Sequence, residues 1–349
     1  MNLFTPVVEP EKFHKNFASV LVSFREAERR LLEKWVDGFV DRDGKFVKEF
    51  QTTFNSSFWE IYLYALFKNY NITVDWSYPT PDFYLSSNRC EFIVEAVTAN
   101  SSHGKPNEWD KAFSREELEK LGRLKELNTE AIIRLSNAII AKVRKYNESY
   151  KKLKHVAGKP FILAIAPFEQ PHFNIQHDRP IRALLFDHYV DEDAYLDNPG
   201  AFPNGPPSVN LEYVTKENGA EIPLGLFKND SLSEVSAIIF SCLATWGKLS
   251  AMSNNPATNT IVSSLWATPP RGAPEMRSCS PSEHGETILI LDGLQIYHNP
   301  FASNPLPPEV FRAPRVVQHY VNNKTGEWLY EGNTQALLFR QVHATPKMK

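Results

Sequence analysis

Three carboxylates and a lysine fall in an order that suits phosphodiester chemistry. Glu60 lies in an apolar helical segment, Asp82 follows Pro81, Glu95 sits inside the apolar run 92–98, and Lys142 comes on a later helix. Carboxylates offer hard oxygen ligands to a divalent cation such as Mg²⁺. Such an ion activates water and offsets charge developing on a phosphoryl oxygen. Glu95 is the most telling of the four. On a strand, side chains alternate faces, so Glu91, Ile93, Glu95 and Val97 share one side. A charge among such neighbours is costly unless it is paired, protonated or bound to a metal.

The elements that must position these groups can be read in turn. Residues 58–67 form an amphipathic helix by their spacing. Residues 81–85 and 90–98 pair as a hairpin around Ser86, Ser87, Asn88 and Arg89, which brings Asp82 near Glu95. A charged surface helix is expected over 114–128, with Ser114 and Glu117 as a capping-box-like start. A second helix follows over 129–150, with Ile132, Leu135, Ile139, Ile140 and Val143 as its apolar face. Lys142 lies at the edge of that face and points toward the sheet, whereas Arg134 and Lys145 project outward, where they would contact a phosphate backbone. The all-apolar run 161–166 is a central strand, and a helix between strands implies a crossover and an α/β sheet. Before the first carboxylate, residues 12–50 read largely as helix. Beyond Pro180 the spacing gives a helix over 181–189, a loop over 197–209, a buried strand over 236–241 and another at 288–291. The Pro/Ser stretch 268–282 is a candidate boundary.

This order of helix acid, Pro-Asp strand, Glu strand, cationic helix and apolar strand resembles the PD-(D/E)xK, or restriction-endonuclease-like, nuclease superfamily. Pro81-Asp82 matches its first strand element, Glu95 its second and Glu60 its helix acid. The chain departs at the lysine slot two residues after Glu95, which holds Val97; some members supply that lysine from the following helix, where Lys142 stands. The resemblance implies an α/β fold with a restriction-endonuclease-like central mixed sheet flanked by helices. Residues 1–52 would be an N-terminal helical segment and 53–267 the nuclease-like core. Residues 268–349 would be a β-rich C-terminal region, separate or packed into the same domain. It further implies hydrolysis of phosphodiester bonds, in DNA more than RNA, by water attack assisted by Mg²⁺ or Mn²⁺. Asp82, Glu95 and Glu60 would hold the metal, Lys142 would assist the water, and Arg134 and Lys145 would touch nucleic acid. A bacterial source and a second copy of the chain as partner are further expectations from the resemblance. The missing strand lysine supports a rival, a catalytically degenerate nuclease fold that binds nucleic acid or another partner. A hydrolase using the same acids on a small molecule is a second.

Composition bounds the rest. Lys plus Arg number 38 against 41 Asp plus Glu, a net charge of −3, so a nucleic-acid partner must rest on a local basic face. Cys90, Cys242 and Cys279 are odd in number and show no CxxC pair, which argues against a disulfide framework or zinc ribbon and fits a reducing cytoplasm. No run approaches the ~18 apolar residues of a membrane span, and the N-terminus lacks a signal-peptide core. His172, His177 and His188 lie near Glu169, Asp178 and Asp187, yet their intervals fit no compact zinc pattern. No Walker loop, GxGxxG or GxSxG is present.

Overall fold

The computed structural model describes residues 1–102, 104–110, 123–268, 272–284, 290–322, 325 and 327–347. Its labelled strands are β1 (Thr73–Asp75), β2 (Phe83–Ser86), β3 (Glu91–Thr98), β4 (Phe161–Ala166), β5 (Val235–Phe240), β6 (Thr258–Thr268), β7 (Gly272–Cys279), β8 (Gln295–His298), β9 (Val317–Val321), β10 (Trp328–Glu331) and β11 (Leu337–Pro346). The helices that matter are α1 (Lys15–Val20), α2 (Glu26–Val36), α3 (Phe46–Thr52), α4 (Asn55–Asn69), α5 (Leu124–Glu148), α6 (Arg179–Phe186), α7 (Glu192–Asp197) and α8 (Trp246–Met252).

The fold is mixed α/β. Eight strands form one sheet in the order β1-β2-β3-β4-β5-β8-β9-β10, with helices packed against it. β3, β4 and β5 run parallel, while β1–β2, β2–β3, β5–β8 and β9–β10 pair antiparallel. Every residue of β4 and β5 is buried, as expected where helices cover both faces of neighbouring parallel strands. The hairpin forms in the expected place, with Phe83 opposite Val94 and Ser86 opposite Glu91.

Several expectations change on packing. Residues 12–50 are largely helical, as expected, but divided: α1, α2 and α3 are separated by turns, and Gly38 and Gly44 at positive φ shape the one between α2 and α3. The helix around Glu60 is longer than the expected 58–67 and is buried on more than one side. Eleven of its fifteen residues are buried, because α2 and α3 cover the side that β3 does not. Trp59 illustrates the fit: its indole N–H donates to the Ala164 carbonyl of β4 at 3.0 Å.

The charged stretch 114–128 lies mostly outside the described residues. α5 begins at Leu124, and the carboxylate of Asp193 on α7 accepts its first N–H groups, from Leu124 at 2.9 Å and Lys125 at 3.0 Å. A distant acid thus satisfies donors that every helix start exposes.

The chain beyond residue 268 joins what precedes it. β8, β9 and β10 extend the central sheet, while β11 pairs with β6 in a three-stranded sheet of order β7-β6-β11. The Pro/Ser stretch taken as a boundary is partly β7, an edge strand, where Pro274 costs no ladder hydrogen bond. Of the strand expected at 288–291, residues 288 and 289 lie outside the described set, and Ile290 and Leu291 stand in a turn. Among the described residues no helix is long and apolar enough to cross a membrane.

Candidate functional site

α4, the β2–β3 hairpin and α5 converge on Glu95. Its side chain is fully buried on β3, facing the helix α5 that follows. Lys142 Nζ lies 2.8 Å and Lys145 Nζ 3.0 Å from Glu95 Oε1, and the Tyr150 hydroxyl donates to the same oxygen at 3.2 Å. Glu95 Oε2 is buried with no partner among the described residues. Burial alone would raise this carboxyl; Lys142 first and then Lys145 outweigh it and hold Glu95 below the usual carboxylate range.

Asp82 sits one residue before β2, and its Oδ2 accepts the Ala96 N–H at 2.7 Å across the hairpin. Burial, and then the charge of Glu95, push Asp82 up to about 6. Glu60 is partly buried on α4, and burial, Asp82 and Glu49 raise it well above the usual range, against a pull from Arg42. Glu60 and Asp82 thus hold protons more readily than free carboxyls do.

Arg42 is a positioning residue that the sequence did not reveal. Its guanidinium donates to the carbonyls of Tyr78 at 2.6 Å, Pro81 at 3.3 Å and Asp82 at 3.0 Å, so it fixes the turn that carries Asp82. Lys145 differs from expectation. Three residues after Lys142 it shares the same helix face, and its flexible four-carbon stem reaches Glu95 while the side chain stays half exposed. Arg134 stands about two turns before Lys142, about 12 Å along the helix. Its Nε donates to the Asn100 carbonyl at 2.6 Å, away from the carboxylates.

No family model, curated protein or solved structure matches this chain. The site therefore has to be judged on its own chemistry. Its donors are oxygens, which suits a hard divalent cation. The unpartnered Glu95 Oε2 and the Asp82 carboxylate, brought to Ala96 across the hairpin, are oxygen donors of that kind, and Glu60 is a third. Among the described residues, however, no group of three or more His, Cys, Asp or Glu side chains is gathered closely enough to cage a metal. An ion here would keep much of its water, as Mg²⁺ does.

The histidine region holds no metal cluster among the described residues either. His177 Nδ1 is 3.1 Å from Asp178 Oδ1, Asp178 also pairs with Arg179 and Arg182, and Asp187 accepts the N–H groups of Leu211 and Glu212.

The raised Asp82 has a thermodynamic consequence. An unfolded aspartate titrates near ~3.9, whereas Asp82 in the folded chain does so at about 6. Between these values the folded state binds more protons, so this group's contribution to stability falls as pH rises from about 4 to about 6. Asp82→Asn removes the penalty and keeps an oxygen for the Ala96 N–H. Thermal unfolding without divalent ions should show the variant gaining on the wild type as pH rises through that window; a constant difference would mean that Asp82 is not raised.

Proposed function

We propose that this chain is a divalent-cation-dependent phosphodiesterase acting on nucleic acid, built on a restriction-endonuclease-like sheet. The observation that carries the reading is the ion pair between Lys142 and Glu95. A lysine from the helix after the strand reaches the strand glutamate at 2.8 Å, the role that Val97 cannot fill, and the other glutamate oxygen is left unpartnered. Asp82 and that oxygen would hold Mg²⁺ or Mn²⁺, with Glu60 completing the set or orienting water. The ion, when bound, supplies a Lewis acid that stabilises charge on the phosphoryl oxygens. Lys142 fixes the Glu95 carboxylate and brings positive charge beside the attacking water. Arg42 holds Asp82 in place.

The local basic surface required by the net charge of −3 would come from the end of α5 and the segment just after it. From 142 to 159 the chain carries Lys142, Arg144, Lys145, Lys151, Lys152, Lys154 and Lys159 against a single acid, Glu148. Arg144, Lys145, Lys151, Lys152 and Lys154 are exposed. Cations so placed would seat a phosphate backbone without reading sequence. The choice of DNA over RNA comes from the family resemblance alone.

The degenerate reading has its own observation. Lys142 and Lys145 both neutralise Glu95, and the described residues form no metal cage. The test is cleavage of plasmid, linear and single-stranded DNA, and of RNA, by the full chain with Mg²⁺ or Mn²⁺. Binding is measured in parallel over a salt series, for wild type and a Lys151→Glu/Lys152→Glu/Lys154→Glu variant. Cutting that needs the divalent ion supports the phosphodiesterase. Salt-sensitive binding without cutting, weakened in the triple variant, supports the binding protein. Neither cutting nor binding removes nucleic acid from the account.

A further inference from the structure

A second constellation lies apart from the carboxylates. A cavity of about 290 Å³ opens where α1, the start of α4, the start of α8 and β11 meet. None of Glu60, Asp82, Glu95 or Lys142 lines it. Its walls carry Arg25 Nε, Arg340 Nη1 and Trp246 Nε1, three buried N–H groups with no acceptor among the described residues. Arg340 is only 7% exposed, and its other terminal nitrogen donates to the Leu243 carbonyl.

Chemistry narrows what such walls can hold. Arginine and the tryptophan indole donate and do not accept, so the missing partner is an acceptor. Buried guanidinium groups further require negative charge or pay heavily for burial. Burial does pull Arg340 down to about 10, an effect that Asp292 only partly offsets. Glu108 is the acidic side chain on the wall, and Glu28, off the wall, acts on the partly buried Arg25, yet neither gives the Arg25 Nε or the Arg340 Nη1 hydrogen an acceptor among the described residues. Part of the remaining wall is aromatic, beside aliphatic Val20, Leu243 and Val342 and polar Asn16, Asn55 and Asn174. Phe54 and Phe58 stack at 5.7 Å, and Trp246 leans on both at 6.2 and 6.3 Å. The volume is at the lower end of the ~300–1,000 Å³ of small-molecule sites. It suits one ring and one charged head.

The geometry points to a binding site for a small aromatic or heteroaromatic molecule carrying one oxyanion, a phosphate or a carboxylate. The oxyanion accepts from Arg25, Arg340 and Trp246, and the ring lies against Phe54, Phe58 and Trp246. This site is independent of the phosphodiesterase reading, because it shares no residue with that machinery.

Isothermal titration calorimetry of the full chain at low salt tests it with phenyl phosphate, phenylacetate, inorganic phosphate and neutral benzyl alcohol. At least one ring-bearing anion should bind with Kd below about 1 mM, and benzyl alcohol at least about tenfold more weakly, since hydrogen bonds to charged groups are worth that much. Preference between phenyl phosphate and phenylacetate assigns the head group. Arg25→Gln should weaken anion binding about tenfold or more, and Trp246→Phe, which keeps the ring and loses the donor, should weaken it severalfold. Arg340→Gln should abolish it; if that buried change prevents folding, the other two variants carry the test. Three results would overturn the site: no anion binding to wild type, benzyl alcohol binding equally well, or anion affinity unchanged in both Arg25→Gln and Trp246→Phe.

Discussion

Glu95→Gln is expected to lower divalent-dependent cleavage by more than about 100-fold, since even groups that merely support a metal ligand cost 10–100-fold when replaced. The substitution is close to isosteric. A glutamine carbonyl can still accept from Lys142, Lys145 and Tyr150, so the α5 contact survives. What changes is the atom at Oε2, buried and unpartnered in the wild type. In the amide that atom is an NH₂ donor, which cannot ligate a cation. The charge that raises Asp82 also disappears, so Asp82 should titrate lower in the variant. Circular dichroism confirms folding, and single-turnover cleavage of labelled duplex at saturating Mn²⁺ gives the rate. Full activity in a folded Glu95→Gln protein would remove Glu95 from the chemistry and the proposed mechanism with it.

The parts of this site that were legible in the sequence are local in the chain. Alternation along residues 91–98 put Glu95 on one face, and the short turn at 87–90 set the hairpin that brings Asp82 to Ala96. Lys142 followed from helical spacing against Ile139 and Val143. What escaped is carried by long-range packing. Arg42 reaches carbonyls 36 to 40 residues away, and nothing in its neighbours' composition marks it. The reach of Lys145 is not set by helical spacing alone: its long flexible stem lets a half-exposed side chain bring its ammonium to Glu95. The run of cations from 142 to 159 was visible, yet its meaning depended on α5 docking over β3. The extension of the sheet by β8 to β10 had weaker signals still, since strands of four or five residues lie among prolines and turns. The three orphan donors of the second cavity come from α8, β11 and a turn before α2, elements that only the tertiary fold brings together.

Removing both lysines from Glu95 should destabilise the protein far more than removing either. Lys145 is half exposed, so Lys145→Ala alone is expected to cost at most about 1 kcal/mol, in the range of surface pairs. Lys142→Ala leaves Lys145 and Tyr150 on the same oxygen. The double variant strands a carboxylate with 0% exposure, and breaking a buried pair in this way costs about 3–5 kcal/mol. Denaturant unfolding at pH 7.5 measures the excess over the sum of the singles, which reports the coupling among contacting residues. The pH dependence should also change sign. In the wild type Glu95 is held low, so its stabilisation is present above the unfolded value of ~4.3 and is lost as pH falls through the depressed folded value. In the double variant burial dominates and raises it, so the contribution is instead lost as pH rises. Glu95→Gln added to the double variant should then restore stability, since it removes the stranded charge. Mg²⁺ separates the two functional readings within the same experiment. A ligand that binds only the folded state stabilises it in proportion to RT ln(1 + [L]/Kd). If Glu95 and Asp82 are metal ligands, freeing Glu95 from its lysines should strengthen Mg²⁺ binding and make the double variant respond to the ion more than the wild type does. A double variant no less stable than the singles would mean that the lysines do not hold the Glu95 charge; one destabilised as expected but indifferent to Mg²⁺ and Mn²⁺ would leave the Lys142–Glu95 pair as a structural ion pair and favour the degenerate fold.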